Sequence, residues 1–212
     1  MRCVNVVVNF LLLSAISCGK KKDCGGGLGS NQINLHFQLP VKIYPLKDTF
    51  SVGDTIWIEQ EFSDNLQNTQ NNKYYTLRNF DFKISYSFID LNQIGSRTIT
   101  NPKIVVYTGS NTQENSTKVG FKYENNTYRY KAAFIAQQKG LFLLEFGSTM
   151  SEAKGSNTGV TQCENEYYQI TFYNNEQANC NFEFLKKSVD KFYQDRSSDL
   201  FNSAGSYAFY VK

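Results

Sequence analysis

Glu59 and Glu61 lie two residues apart in Thr55-Ile56-Trp57-Ile58-Glu59-Gln60-Glu61-Phe62. A period of two puts both carboxylates on one strand face, with Trp57 beside them. Paired carboxylates could serve glycoside hydrolysis, or hold calcium together with Asp54 and Asp64. Neighbouring carboxylates on a strand are more often its solvated side, and no run in the chain matches a calcium-loop template. Trp57, with Tyr74 and Tyr75 in the next loop region, could form an aromatic platform for a sugar. The competing expectation packs Trp57 under a loop or against a second sheet, as in many sandwiches. His36 is the single histidine. It falls between Leu35 and Phe37, opposite the apolar residues, so it is expected to face solvent. One histidine and no nucleophile-elbow motif leave a serine or cysteine triad without support. The glycine run Gly25-Gly26-Gly27-Leu28-Gly29 follows no strand and precedes no helix. It reads as a linker rather than a phosphate-binding loop.

The five cysteines divide by position. Cys3 and Cys18 fall in or beside an apolar stretch, Val4 to Ile16, that follows Arg2. That is the length of a signal h-region and too short to cross a bilayer, which takes roughly 20 apolar residues. Ala15, Ile16 and Ser17 directly before Cys18 resemble a bacterial lipobox, although the leucine usual three residues before the cysteine is Ala15 here. The resemblance implies cleavage after Ser17, a diacylglycerol on the Cys18 thiol and an acylated new amino terminus. Each buried CH₂ of such chains contributes about 0.8 kcal/mol, so several chains hold a protein on a membrane. Gly19, where an aspartate would signal inner-membrane retention, then favours the outer membrane. Lys20-Lys21-Lys22-Asp23 either rests on anionic headgroups or is a solvated charge run. It loosely resembles the surface-export tags of Bacteroidetes lipoproteins, and the side of the membrane stays open. Cys24, Cys163 and Cys180 remain, with no CxxC pair to suggest a zinc site. In an oxidising envelope Cys163 and Cys180 are the natural disulfide, closing a loop worth about 3 kcal/mol. Two free cysteines in neighbouring strands would give the same pattern.

Composition bounds the rest. Of 212 residues, removal of 1–17 takes Arg2 alone among charged side chains, so the 22 Lys+Arg become 21 against 19 Asp+Glu. A nearly neutral chain has no basic excess for nucleic acid. No cofactor or metal is implied. Residues 18–32 form a flexible tether reaching roughly 20 Å, and residues 33–212 form one domain.

Within that domain a period of two recurs. Ile33, Leu35, Phe37 and Leu39 alternate with polar residues until Pro40 and Pro45 break the run. Phe50 to Asp54 is a turn into the Trp57 strand, and 65–72 is a polar loop. Phe80, Phe82, Ile84, Tyr86 and Phe88 form the cleanest strand. A strand is expected over 98–107, with Pro102 at an edge or bulge, followed by a loop over 109–117. Val119, Phe121 and Tyr123 lead to Asn125-Asn126, a hairpin turn because asparagine tolerates positive φ. Tyr128, Tyr130, Ala132 and Phe134 return on one face. Phe142, Leu144 and Phe146 follow the turn at Lys139-Gly140, and 147–159 is a long loop. Tyr168, Ile170 and Phe172 alternate once more. Leu185, Val189 and Phe192 predict a short helix, Ser197 and Ser198 could cap a turn around Leu200, and Tyr207, Phe209 and Val211 predict a terminal strand.

Short strands, frequent turns and almost no helix argue for an all-β, immunoglobulin-like antiparallel β-sandwich with a short C-terminal helical segment. The segment from Tyr44 to Ile58 looks like one that recurs in small Bacteroidetes lipoproteins with an immunoglobulin-like domain, a family that brings no assigned activity. The expectation is a lipid-anchored, non-enzymatic binding module of the bacterial envelope. Its partner would be an envelope protein or glycan. An envelope glycan hydrolase using Glu59 and Glu61, or a structural subunit of an outer-membrane complex, are the alternatives.

Overall fold

A computed structural model describes residues 33–94, 103–113, 117–148, 151–153, 166–174 and 181–212. The order of elements is β1 (Ile33–Tyr44), β2 (Thr49–Phe50), β3 (Thr55–Ser63), β4 (Asn65–Gln67), β5 (Tyr74–Thr76), β6 (Ile84–Asp90), β7 (Lys103–Thr108), β8 (Ser110–Gln113), β9 (Thr117–Gly120), β10 (Lys122–Glu124), β11 (Thr127–Ile135), β12 (Gly140–Ser148), β13 (Ser151–Ala153) and β14 (Glu166–Asn174). A 3-10 turn (Phe182–Lys187), the helices α1 (Lys191–Gln194) and α2 (Ser198–Ser203), and β15 (Tyr207–Val211) complete it. The fold is all-β. The tether, Cys18, Cys24, Cys163, Cys180 and Pro102 lie outside the described residues, so the anchor and the disulfide have no geometry here.

One sheet runs β10-β11-β3-β1-β14-β13, with β7 laid beside β10 along the same edge of β11. The other runs β2-β15-β12-β6-β9-β8. The alternating apolar residues of both sheets meet between them. Phe88 of β6 stacks on Phe134 of β11 with centroids 3.5 Å apart, and Phe146 of β12 meets Phe172 of β14 at 5.5 Å. Leu39, Ile43, Ile58 and Leu144 are fully buried in this layer.

The sheets are mixed, not purely antiparallel. β1 pairs parallel with β14 from Ile33↔Glu166 to Val41↔Asn174, and β2 pairs parallel with β15. A period of two reports which face is buried and says nothing of the neighbour's direction. Pro40 does not end β1. Its carbonyl accepts from Gln60 Nε2 at 3.4 Å, on the side where the β3 ladder begins only at Lys42. The missing N–H therefore costs no ladder bond.

Two expected loops contain short strands. Leu66 is buried within β4, which pairs with β5, and β8 pairs with β9 across 110–120. In both cases one apolar or small residue among polar ones suffices, because backbone pairing does not require polar side chains to be excluded. The Phe80–Phe88 strand is shorter than its pattern. Phe82 is buried, but regular pairing starts at Ile84 and the Phe80 N–H donates to the Tyr128 hydroxyl instead of a ladder.

β12 is buried on both faces. Leu141 and Leu143 join a second core with Leu91, Leu185, Phe201 and Ala208 beneath the C-terminal helical segments. The continuous helix over Leu185, Val189 and Phe192 is replaced by the 3-10 turn and α1. Ser188 donates its hydroxyl to the Leu91 carbonyl, Val189 N–H donates to the same carbonyl, and the Asp190 carboxylate caps Phe192 N–H. These short side-chain bonds compete with helical ones and leave Val189 and Phe192 exposed. Ser197 caps α2 by accepting from Leu200 N–H at 3.3 Å, as the sequence predicts.

Candidate functional site

The outward face of the first sheet carries the candidate site, and register explains it. Tyr44, Trp57, Ala133 and Val105 come from β1, β3, β11 and β7 in one row across the sheet. Lys42, Glu59 and Lys131 form the adjacent row. Rows on one face are about 7 Å apart along the strands. Their inward neighbours Ile43, Ile58 and Ala132 are fully buried, which pins the face.

Trp57 stands between two tyrosines. Its ring lies 6.2 Å from Tyr44 at an interplanar angle of 12° and 5.1 Å from Tyr107 at 48°. Tyr107 lies on the same face as Val105 by alternation, and β7 then bulges: it gives Val106 to Ala132 and Thr108 to Lys131, leaving Tyr107 as the extra residue. Its ring remains 61% exposed. Lys131 Nζ sits 5.3 Å from the Trp57 ring and 5.9 Å from the Tyr44 ring, and Lys42 Nζ sits 5.5 Å from the Tyr44 ring. Lys131 also pairs with Glu59 at 3.4 Å. Its hydrogen bond to Tyr44, opposed by desolvation and helped by the Glu59 carboxylate, raises its pKa above the ordinary lysine value.

The carboxylates expected to do chemistry are side by side on this face. Glu59 faces Lys131, and Glu61 accepts from Arg129 Nη2 at 3.1 Å. Each is matched to a cation on β11, and both project from the same strand of an open sheet. An acid and a base acting on one glycosidic bond flank it from either side, which this placement does not provide. His36 is half-buried at its β1 position, and its carbonyl accepts from Thr69 N–H. Among the described residues no group of three His, Cys, Asp or Glu is placed to hold a metal ion.

Tyr74 and Tyr75 do not join Trp57. They sit on the β4–β5 hairpin past the far end of β3, beyond about 20 Å of strand. Tyr74 is exposed, whereas Tyr75 is buried edge-on against Phe37 at 6.3 Å with its hydroxyl accepting from Asn71. The partners that Trp57 does have were open to sequence reasoning in part. Lys42 and Tyr44 alternate with Val41 and Ile43, and Lys131 alternates with Tyr130 and Ala132, so their outward direction was readable. Tyr107 and Val105 likewise alternate with Ile104 and Val106, but nothing in the sequence places β7 beside β11.

No family model matches this chain, and no curated protein does. Among solved structures it is similar to the crystal structure of the CupB6 tip adhesin from Pseudomonas aeruginosa, at 13% identity and a TM-score of 0.20. The match covers 68% of this chain and 43% of that one, and a likeness of this size carries no argument about function. The site's chemistry therefore rests on its own residues. Aromatic ring faces take apolar C–H surfaces, and the lysines and carboxylates in the adjacent row take hydroxyl or charged groups.

Proposed function

We propose that the chain is a lipid-anchored, non-enzymatic binding module of the bacterial cell envelope. In this reading Cys18 carries the lipid, the module is held at the outer membrane, and the two packed sheets are an immunoglobulin-like β-sandwich. The outward face around Trp57 is its binding surface. One observation carries the binding half of the reading: Tyr107 is exposed, and its ring packs 5.1 Å from Trp57 on the outward face. Bulges are over-represented beside functional sites, and an exposed tyrosine beside a tryptophan and two lysines adds nothing to the core. Side-by-side, cation-paired Glu59 and Glu61 give the hydrolase alternative no support.

Two measurements test the two halves. Labelled palmitate should mark the wild-type chain and leave Cys18→Ser unmarked and out of the membrane fraction; an unlabelled wild type would end the anchor. Trp57 is the only tryptophan, so its fluorescence reports this face alone. Envelope glycan fractions should change that emission, and Tyr107→Ala should weaken the response at least tenfold. An unchanged emission across all fractions would remove the face from consideration.

A further inference from the structure

A second place for a ligand lies beside α2, away from Trp57. The chain after α2 is fastened to both sheets. Ala204 bridges Phe172 of β14, and its carbonyl accepts from Phe146 N–H of β12 at 2.9 Å. Gly205 permits the close approach. It holds φ of 55°, and a Cβ there would stand 3.0 Å from the Phe172 Cβ. Between this segment, α2, β14 and Gln38 of β1 lies a cavity of about 300 Å³. We infer that this cavity binds one unit of an uncharged saccharide, with Tyr173 against the sugar ring and Gln38 and Asp199 on its hydroxyls. The inference does not rest on the Trp57 face.

Unspent hydrogen-bonding groups carry the argument. Four of the lining side chains have polar atoms with no partner among the described residues: the Gln38 carboxamide, the Tyr173 hydroxyl, the Asp199 carboxylate and the Ser206 hydroxyl. Ser206 is 3% exposed, so its unpaired hydroxyl is a cost that a ligand group would offset.

The kinds of group select the ligand. A carboxylate only accepts, a carboxamide donates at one end and accepts at the other, and a hydroxyl does both. A ligand built of hydroxyls answers all of them. An ammonium donates only, which suits Asp199 and leaves the Gln38 amide and Ser206 without an acceptor. No Lys, Arg or His lines the cavity, so an anionic ligand would meet the Asp199 charge with nothing to offset it. The Tyr173 ring is 40% exposed and supplies a flat apolar surface for the C–H face of a pyranose. The volume is at the small end for ligand pockets, which suits a single unit. Tyr173 is in register with Pro40, and Tyr44 stands about 13 Å further along β1. Variants at one site therefore leave the other untouched.

The test titrates the full chain with the methyl glycosides of glucose, galactose, mannose, xylose and N-acetylglucosamine, read by saturation-transfer NMR. Tetramethylammonium and benzylamine serve as cationic probes. At least one glycoside should bind in the millimolar range. Asp199→Asn should weaken it about tenfold. Tyr173→Ala should weaken it at least tenfold, while Tyr173→Phe stays within about threefold because the ring face is kept. Trp57→Ala should leave it unchanged, and circular dichroism should show each variant folded. Glycoside binding that survives Tyr173→Ala and is lost in Trp57→Ala would overturn this cavity and leave the Trp57 face standing. Binding of the cationic probes alone would overturn the saccharide class. A folded chain that binds none of the glycosides would overturn the site.

Discussion

Tyr130 brings its hydroxyl into the space between the sheets, and the group is not left alone. It donates to Asn111 Oδ1 at 2.7 Å, Asn111 Nδ2 donates to the Tyr86 hydroxyl at 2.9 Å, and the two hydroxyls lie 3.0 Å apart. A ring of three hydrogen bonds thus joins β11, β8 and β6, spanning both sheets. Tyr130→Phe leaves Asn111 and Tyr86 each short of a partner inside the protein. The expected cost is about 1–3 kcal/mol, read as a lowered urea midpoint with an unchanged m-value. Burial raises the Tyr130 phenol far above its ordinary range and raises Tyr128 to about 12. In the unfolded chain both ionise near pH 10. Between those values the unfolded chain gives up protons that the folded one keeps, so stability present below about pH 10 is lost as the pH climbs toward 12. Urea midpoints across this range, followed with phenolate absorbance, check it. A midpoint that holds steady through about pH 11 would contradict the assignment. At this scale the sequence singled out Trp57, Glu59 and Glu61 correctly as residues of one face, because alternation fixes direction. It could not supply Tyr44, Tyr107 and Lys131 as the neighbours of Trp57, because each arrives from a different strand.

Among the elements, the β10–β11 hairpin is the most local. Asn125 and Asn126 hold φ of 52° and 60°, the pair of left-handed residues that a two-residue turn needs to match strand twist. The choice of asparagine was readable in the sequence for that reason. Asn125→Gly should leave stability unchanged or slightly raised, whereas Asn125→Ile should cost about 1–2 kcal/mol by forcing a branched side chain into that region. Thermal melts of the two variants decide it. The β7 bulge makes the opposite kind of prediction. Deleting Tyr107 joins Val106 to Thr108 and restores an uninterrupted ladder against Ala132 and Lys131. The chain should still fold, with a loss within about 1 kcal/mol as for most surface changes, but the Trp57 response to ligand should vanish. Unfolding of this variant would make the extra residue a structural need rather than a contact for a ligand. The continuous C-terminal helix that the spacing predicts is broken by local competition. Ser188 and Asp190 offer side-chain bonds to nearby backbone groups, and a 3.6-residue spacing of apolar residues does not register that competition.

Across the whole molecule the chain builds two cores from one sheet. β6, β12 and β15 turn Phe88, Leu144 and Phe209 toward the first sheet and Ile89, Leu143 and Ala208 toward the C-terminal helices. Phe201 of α2 is fully buried in the second layer, edge-on to Phe182 at 5.3 Å. Phe201→Ala should cost about 3–5 kcal/mol and expose the outer face of β12 to a hydrophobic dye. Denaturant unfolding together with dye binding measures both. A loss under about 1 kcal/mol would mean that the helical segments are an appendage rather than the second wall of the core.

The sequence by itself determined the inward residues of the long alternating strands such as β1, β3 and β11, where Asn125-Asn126 turns the chain, and that Ser197 starts a helix. These follow from side-chain alternation, φ preference and one hydroxyl, all settled within a few residues of where they act. Only the tertiary structure decided that β1 runs parallel to β14, that β9 and β10 belong to different sheets, and that Trp57 meets Tyr44 and Tyr107 instead of Tyr74 and Tyr75. Such pairings join residues far apart in the chain, as Phe37 meets Ile170. Their free energy comes from surface buried when remote segments meet, and no short window of residues contains it.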